Sequence, residues 1–270
     1  MPELPEVETT RAGIAPLIRD RPIGQVILRA ASLRQPLAPE LASRLPGQRV
    51  HAVERRGKYL ILRLDDGSLL LHLGMSGSLR FLPATTPPGK HDHVDLVFGG
   101  DCLRLRDPRR FGLLLWTDGE PLNHPLLRDL GPEPLSDGFD ADFLYRVSRK
   151  RATAIKPFLM NSRIVVGIGN IYANEALFAA GIHPKRAAGR ISAVRYRLLV
   201  HHIRRILEAA IAQGGTTLND FRNEQGKPGY FAQRLQVYGR GQEPCPKCAR
   251  PIQQALIGQR SSYYCAHCQR

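Results

Sequence analysis

The sequence predicts an α+β chain of several parts: a β-rich N-terminal half with one flanking helix, a helical segment after it, and a small C-terminal module built around cysteines. Three observations carry this. Short apolar runs in the first half are separated by Gly-containing loops of hairpin length. Past residue 138 the apolar period lengthens to that of helices. Four of the five cysteines fall into two Cys-x2-Cys pairs near the end. With 270 residues, 43% hydrophobic and 23% charged, the chain can bury a core in one large domain or two ordinary ones. A mainly disordered chain is excluded. No run approaches the ~18 apolar residues of a membrane helix. Glu3, Glu6 and Glu8 replace the basic-then-apolar pattern of a signal peptide, so a cytoplasmic protein is expected.

The elements follow in order. Val7, Ile14, Leu17 and Ile18 fall on one side of a helical wheel, which predicts an N-terminal helix packed on a sheet or sandwich. Residues 58–64 and 68–73 are strand-like runs joined by Asp65-Asp66-Gly67, a hairpin signal. Residues 94–98 and 102–106 flank Gly99-Gly100-Asp101 in the same way, and 111–116 is a further short apolar run. The Gly/Pro-rich stretch 131–138 reads as a boundary. Beyond it, residues 171–180 look helical and stop at Gly181 with Pro184 following. Residues 195–212 place Leu199, Ile203, Ile206, Leu207, Ala210 and Ile211 on one face and Arg197, His201, Arg204 and Arg205 on the other.

The net charge of +15 is distributed unevenly. Residues 1–146 hold 19 basic and 19 acidic side chains, residues 147–212 carry +10 and residues 213–270 carry +5. An excess confined to the last 124 residues suits a polyanionic partner.

Cys245-x2-Cys248-x16-Cys265-x2-Cys268 is the spacing of a structural zinc site, in which two knuckles bring four thiolates to one tetrahedral ion. Redox pairs or disulfides are the alternatives, disfavoured in a cytosolic chain. His267 reads as a bystander, because four thiolates already fill the shell. Cys102 reads as a buried strand residue. If the loop between the knuckles is a two-stranded ribbon, Arg260 lies near its tip.

Two further stretches suggest chemistry. In Val166-Gly167-Ile168-Gly169-Asn170-Ile171, two glycines before a helix let backbone amides converge on an anion, and Asn170 reads either as a phosphate contact or as a plain helix cap. At the N-terminus, removal of Met1 would leave Pro2 with a free secondary amine. Such an amine can attack a sugar C1′ and form an iminium, with Glu3 as proton shuttle. From these residues alone, a start residue followed by helix-favouring acids is the plainer reading.

The ensemble of motifs changes that balance. MPELPEVET, RRGKYL, HLGMSG, KHDHVD, DPRRFG, GPEPL, AIKP, VVGIGNIYANE, GIHP, QGGTTL, GKPGYF, QVYGR and the cysteine pairs together resemble the formamidopyrimidine-DNA glycosylase family along the whole chain. The resemblance implies an α+β multidomain fold. It consists of an N-terminal β-sandwich with flanking helix (1–132), a linker (133–148), a helix-two-turns-helix domain (149–234) and a four-cysteine zinc finger (235–270). It implies a bacterial base-excision enzyme that flips oxidised purines out of duplex DNA, excises them through a Schiff base and cuts the strand by β,δ-elimination. Pro2 matches the nucleophile, Glu3 the proton donor and Glu6 a supporting acid. Lys58 matches the lysine that assists β-elimination and Arg260 the finger arginine associated with δ-elimination. Met75, Arg109 and Phe111 match the wedge that fills the vacated base position.

His72, His91, Asn170, Tyr238 and Arg260 match phosphate contacts, and Lys156 a lysine near the lesion. Ala152 stands where relatives often carry a basic residue, so the phosphate role passes to Arg149, Lys150 or Arg151, of which Arg151 is favoured. Residues 216–230 match a segment that closes over the flipped base. One structural zinc, damaged duplex DNA as partner, no membrane, no nucleotide cofactor and a monomer used at the nucleoid complete the expectation. An endonuclease VIII-like enzyme for oxidised pyrimidines, which typically begins with Gly where this chain has Leu4, is one alternative. A non-catalytic zinc-ribbon DNA-binding protein is the other.

Overall fold

The computed structural model describes residues 1–216 and 234–270. Among these, the chain forms two compact units, one of residues 1–128 with 211–216, the other of 129–210 with 234–270. No described helix is long and apolar enough to cross a membrane.

The first unit opens with helix α1 (Leu4–Ile18). Glu3 is its N-cap and Glu6 its third residue, in a reciprocal capping box, and Pro5 sits in the first turn where a missing N–H costs nothing. Val7, Ile14 and Ile18 are buried as the wheel requires, while Leu17 packs at the edge. Eight strands follow: β1 (Gln25–Leu28), β2 (Ala52–Arg56), β3 (Tyr59–Arg63), β4 (Ser68–His72), β5 (Ser78–Pro83), β6 (Asp92–Phe98), β7 (Asp101–Arg106) and β8 (Leu113–Thr117), with a single helical turn, α2 (Leu41–Arg44), between β1 and β2. They form two antiparallel sheets, ordered β1-β6-β7-β5 and β2-β3-β4-β8.

Val26, Val94, Leu96, Phe98, Leu103 and Leu105 of one sheet share a core with Val53, Leu60, Leu62, Leu69, Leu71 and Leu114 of the other, and α1 joins it through Val7, Ile14 and Ile18. Alternation along each strand makes this a sandwich. Both sequence-read hairpins are present, β3–β4 and β6–β7. β1, β2 and β5 were not legible: β1 (QVIL) is only four residues long, and β2 (AVERR) and β5 (SLRFLP) are at least half charged, polar or Pro.

Topology brings two loops together. The chain leaves β4 at His72 and enters β5, in the other sheet, at Ser78; it leaves β7 at Arg106 and returns to β8 at Leu113. His72 pairs with Leu113 and Ser78 pairs with Arg106. The two crossovers, 73–77 and 107–112, therefore run side by side. They carry Met75 and Arg109–Phe111.

The second unit holds α3 (Ala141–Ser148), α4 (Ile155–Leu159), α5 (Asn170–Ala179) and all but the last two residues of α6 (Ala193–Ala212), then the ribbon β9 (Gln253–Ile257) and β10 (Arg260–Tyr264). The span expected as a linker thus contains a helix, capped by the Asp140 carboxylate on Phe143 N–H at 2.6 Å. α5 ends at Gly181, in the left-handed region at φ +67°, as its sequence foretells. α6 buries Leu199, Ile203, Leu207 and Ala210, and also Tyr196 and Val200. The finger packs on α5 through a cluster of Phe178, Val237, Cys245, Ile252 and Cys265.

Candidate functional site

The start of the chain is built rigidly. Glu3 and Glu6 are each 2% exposed, and Pro2 beside them is buried. The Glu6 carboxylate accepts the Glu3 N–H at 2.8 Å with one oxygen and the Thr216 N–H at 2.7 Å with the other. A carboxylate held by two backbone donors this way fixes both segments. Gly215 lies at φ +80°, which strains any side chain, and a Cβ there would crowd Glu6 Oε1 at 3.0 Å.

Lys58 lies in the two-residue turn between β2 and β3, one residue before the strand that the sequence assigned it to. Gly57, at φ +58°, supplies the positive φ that such a turn needs at its first position. The turn sets the half-buried Lys58 at the end of the hairpin.

His72 ends β4. Its Nδ1 accepts the Gly74 N–H at 2.9 Å, and its ring tilts against Tyr59 with centroids 4.8 Å apart. Burial, then the nearby Lys58 and Arg34 charges, lower its pKa to about 4 against a smaller opposing pull from Asp107. At neutral pH the ring is therefore uncharged, with Nε2–H as its one donor. The unfolded chain binds a proton that the folded chain refuses between pH 6.5 and about 4, so folding stability falls as the pH drops through that window. The expected loss is on the order of 3 kcal/mol. Urea unfolding of wild type and His72→Gln at pH 4.5 and 7 checks this: the variant should show the shallower dependence, and equal dependence would contradict it.

The two crossovers present an amphipathic tip. Phe111 is 44% exposed, Met75 is half-buried, and the exposed Arg109 guanidinium lies 4.9 Å over the Phe111 ring. These are not core residues, although their types suggest it. Gly74, at φ +63°, lets the loops meet, for a Cβ would fall 2.4 Å from the Phe111 carbonyl carbon. His91 is half-buried, and its carbonyl accepts the Asp107 N–H at 3.0 Å.

In the second unit the motif GNIYANE acts largely as a scaffold. Gly169 is the N-cap of α5, not Asn170, which is its first residue. The Asn170 amide donates to Ser261 O at 3.0 Å, and its Oδ1 is buried without a partner. Asn174 Oδ1 accepts the Tyr263 N–H at 2.8 Å. Glu175 accepts the N–H groups of Gln236, Val237 and Tyr238 at 2.8–3.0 Å, and so holds Tyr238 against Tyr263. Burial pushes the Glu175 carboxyl up, against the lowering effect of those donors.

Lys156, expected beside the lesion, is 0% exposed, with Nζ on Ser261 O at 2.9 Å and Ser262 Oγ at 2.6 Å. Its ammonium holds the ribbon. Arg260 is exposed and directly follows the Gly258-Gln259 turn, both residues at φ +58°, the geometry of a type I′ hairpin.

Among the three basic residues before Ala152, Arg149 is committed inward, to Tyr145 O, Gly189 O and Ile191 O, and stacks on Tyr145 at 3.9 Å. Lys150 and Arg151 remain exposed. The closing segment expected at 216–230 lies, beyond Thr216, outside the described residues.

The four cysteine sulfurs lie within 4.8 Å of one another, with Cys248–Cys265 at 3.5 Å and Cys245–Cys268 at 3.9 Å. Tetrahedral bonds of ~2.3 Å to zinc place sulfurs ~3.8 Å apart, so the set fits one Zn²⁺ with no position open for water.

Asp107, Ser76, Asn174 and Glu175 escaped the sequence reading. All four stand inside quoted motifs with unremarkable types; only their burial reveals them.

Comparison with known proteins agrees with this arrangement. The family model for the formamidopyrimidine-DNA glycosylase N-terminal domain matches residues 1–114, that for its H2TH domain matches 130–222, and that for the zinc finger found in FPG and IleRS matches 242–270. The formamidopyrimidine-DNA glycosylases of Methylococcus capsulatus and Stutzerimonas stutzeri are 59% and 57% identical over 271 residues, covering 100% of each chain. The crystal structure of the MutM (FPG) protein of Thermus thermophilus superposes with a TM-score of 0.88 at 39% identity, over 99% of this chain and 98% of that one. A Lactococcus lactis FPG variant in complex with Fapy-dG-containing DNA superposes with a TM-score of 0.92 at 34% identity, over 100% of both chains.

Proposed function

The chain belongs to the formamidopyrimidine-DNA glycosylase family, and from that premise we propose that Pro2, freed of Met1, is its nucleophile. The enzyme excises oxidised purines from duplex DNA and cuts the resulting abasic strand. Its cysteines hold one structural zinc.

The observation that carries the residue-level reading is the locked N-terminus: a buried Pro2, followed by a buried Glu3 whose N–H is tied to Glu6. The Pro2 lone pair attacks C1′, the C1′–N bond to the base breaks, and the base departs with a proton supplied from the Glu3 carboxyl. The sugar ring opens as the Pro2 N–H proton passes to O4′, and the resulting iminium cation serves as electron sink. Loss of a C2′ proton expels the 3′ phosphate, and a second elimination expels the 5′ phosphate. Lys58 assists the first elimination, and Arg260 the second. Glu6, whose two oxygens accept the Glu3 and Thr216 N–H groups, keeps Glu3 in place.

His72, His91, Arg151, Asn170, Tyr238 and Arg260 take phosphates. His72 does so as a neutral donor. Lys156 acts through the ribbon. Met75 and Phe111 enter the stack, and Arg109 donates to the cytosine left unpaired. Arg109→Ala is therefore expected to lose about 1–3 kcal/mol of partner-base discrimination. Excision rates of 8-oxoguanine opposite each of the four bases measure it, and an unchanged ranking would remove Arg109 from that role.

The enzyme acts as a monomer without a nucleotide cofactor, in the bacterial cytoplasm at the nucleoid. Borohydride trapping of the protein on an 8-oxoguanine duplex tests the nucleophile directly, because reduction of the iminium leaves a permanent Pro2–sugar bond. Thymine glycol, used as competitor substrate, distinguishes the pyrimidine-directed alternative.

A further inference from the structure

We propose that Asp107 is the positioning residue that sets the wedge, and through it the enzyme's selectivity for the base opposite the lesion. The proposal rests on the reading of Met75, Arg109 and Phe111 as the wedge. Asp107 is 0% exposed. Its Oδ1 accepts the Ser76 hydroxyl at 2.9 Å and the Arg109 N–H at 3.3 Å, and its Oδ2 accepts the Gly112 N–H at 2.7 Å. One carboxylate thus grips the crossover that carries Met75 and both ends of the segment 109–112. Ser76 closes the bridge, since its Oγ also accepts the Arg109 N–H at 3.2 Å.

The backbone of Asp107 extends the hub. Its carbonyl accepts His93 Nε2 at 2.8 Å, and its N–H reaches the His91 carbonyl at 3.0 Å. Residues expected at DNA on three separate segments (Met75, His91 and Arg109–Phe111) are therefore referred to one buried side chain or its peptide groups.

The charge explains why an aspartate would be kept there. A buried carboxylate near a surface that meets phosphates is unfavourable unless donors satisfy it. Here three do, and a neutral amide could not satisfy all three: with its oxygen placed on Ser76 and Arg109, its nitrogen would face the Gly112 N–H. The segment also gains from holding: Arg110 sits at φ +55°, a conformation uncommon for non-glycine residues. A wedge that must enter a base stack gains by being formed beforehand, since a loose one loses side-chain and loop entropy on insertion.

The test uses the full zinc-loaded chain with Asp107→Asn and, as the milder change, Ser76→Ala, which removes only the hydroxyl bridge. Two readouts are compared with wild type. One is single-turnover excision of 8-oxoguanine opposite cytosine and opposite adenine. The other is borohydride trapping on an abasic site in unpaired single-stranded DNA, where no partner base is read. We expect Asp107→Asn to narrow the cytosine-to-adenine ratio about tenfold, with trapping on the unpaired site within about twofold of wild type. Ser76→Ala should narrow the ratio by about threefold. An unchanged ratio in either variant overturns the proposal, as do equal losses on paired and unpaired substrates. Should Asp107→Asn fail to fold, the Ser76→Ala ratio decides alone. Failure of wild type to trap would instead sink the Pro2 reading, so the two failures are distinguishable.

Discussion

Protein that retains Met1, or carries any residue joined to the Pro2 nitrogen, will bind damaged duplex DNA and leave it uncut. A terminal secondary amine has a lone pair available for C1′. Once in a peptide bond, that pair is delocalised into the carbonyl and the nitrogen no longer attacks. The loss should be on the order of 10⁴-fold or more in excision, as expected when the group that forms the covalent intermediate is removed. Affinity should change little, because phosphate contacts made elsewhere supply most of it. Mass spectrometry separates the Met1-retaining fraction, and borohydride trapping with gel-shift titration gives the two readouts. Covalent trapping by the blocked form at the rate of the mature form would end the mechanism.

Zinc removal is the second large effect. The ribbon β9–β10 has only five residues per strand, and the finger's core with α5 counts two of the zinc-binding cysteines among its members. A lone two-stranded hairpin is marginal in water, whereas structural zinc contributes about 10–16 kcal/mol of apparent binding energy in finger peptides. Without the ion, the strand that bears Arg260 and the Ser261–Ser262 acceptors of Lys156 should unfold. That would leave the Lys156 ammonium without those partners, a further cost of about 1–3 kcal/mol. We expect chelation, or Cys265→Ser, to weaken duplex binding at least about 100-fold. Amide protection should vanish in residues 245–268 and persist in the sandwich, which has its own core. Unchanged affinity in protein verified to be zinc-free would refute this.

The parts legible in the sequence are those whose signal is local. The glycines at 99 and 258 stand where two-residue turns require a positive φ, so the hairpins they close could be expected from composition, whereas the turn at Gly57, equally positive in φ, went unread because β2 before it did. The cysteine spacing encodes its own geometry. The short alternation of β2 and β5 could not be read, because each strand is defined by its pairing with a neighbour.

By itself the sequence determined the zinc ligands, the place of two hairpins, the helix periods and, through the ordered motifs, the family. Only the tertiary structure decided what the charged residues do. Lys156 and Ser262 are 106 positions apart, Glu6 and Thr216 are 210, and Asp107 and Ser76 are 31. A motif states that a Lys, Glu or Asp is present. Whether its charge faces solvent and DNA, or is buried against distant backbone as a structural anchor, depends on which atoms folding brings within hydrogen-bond reach, and that is set by packing across the whole chain.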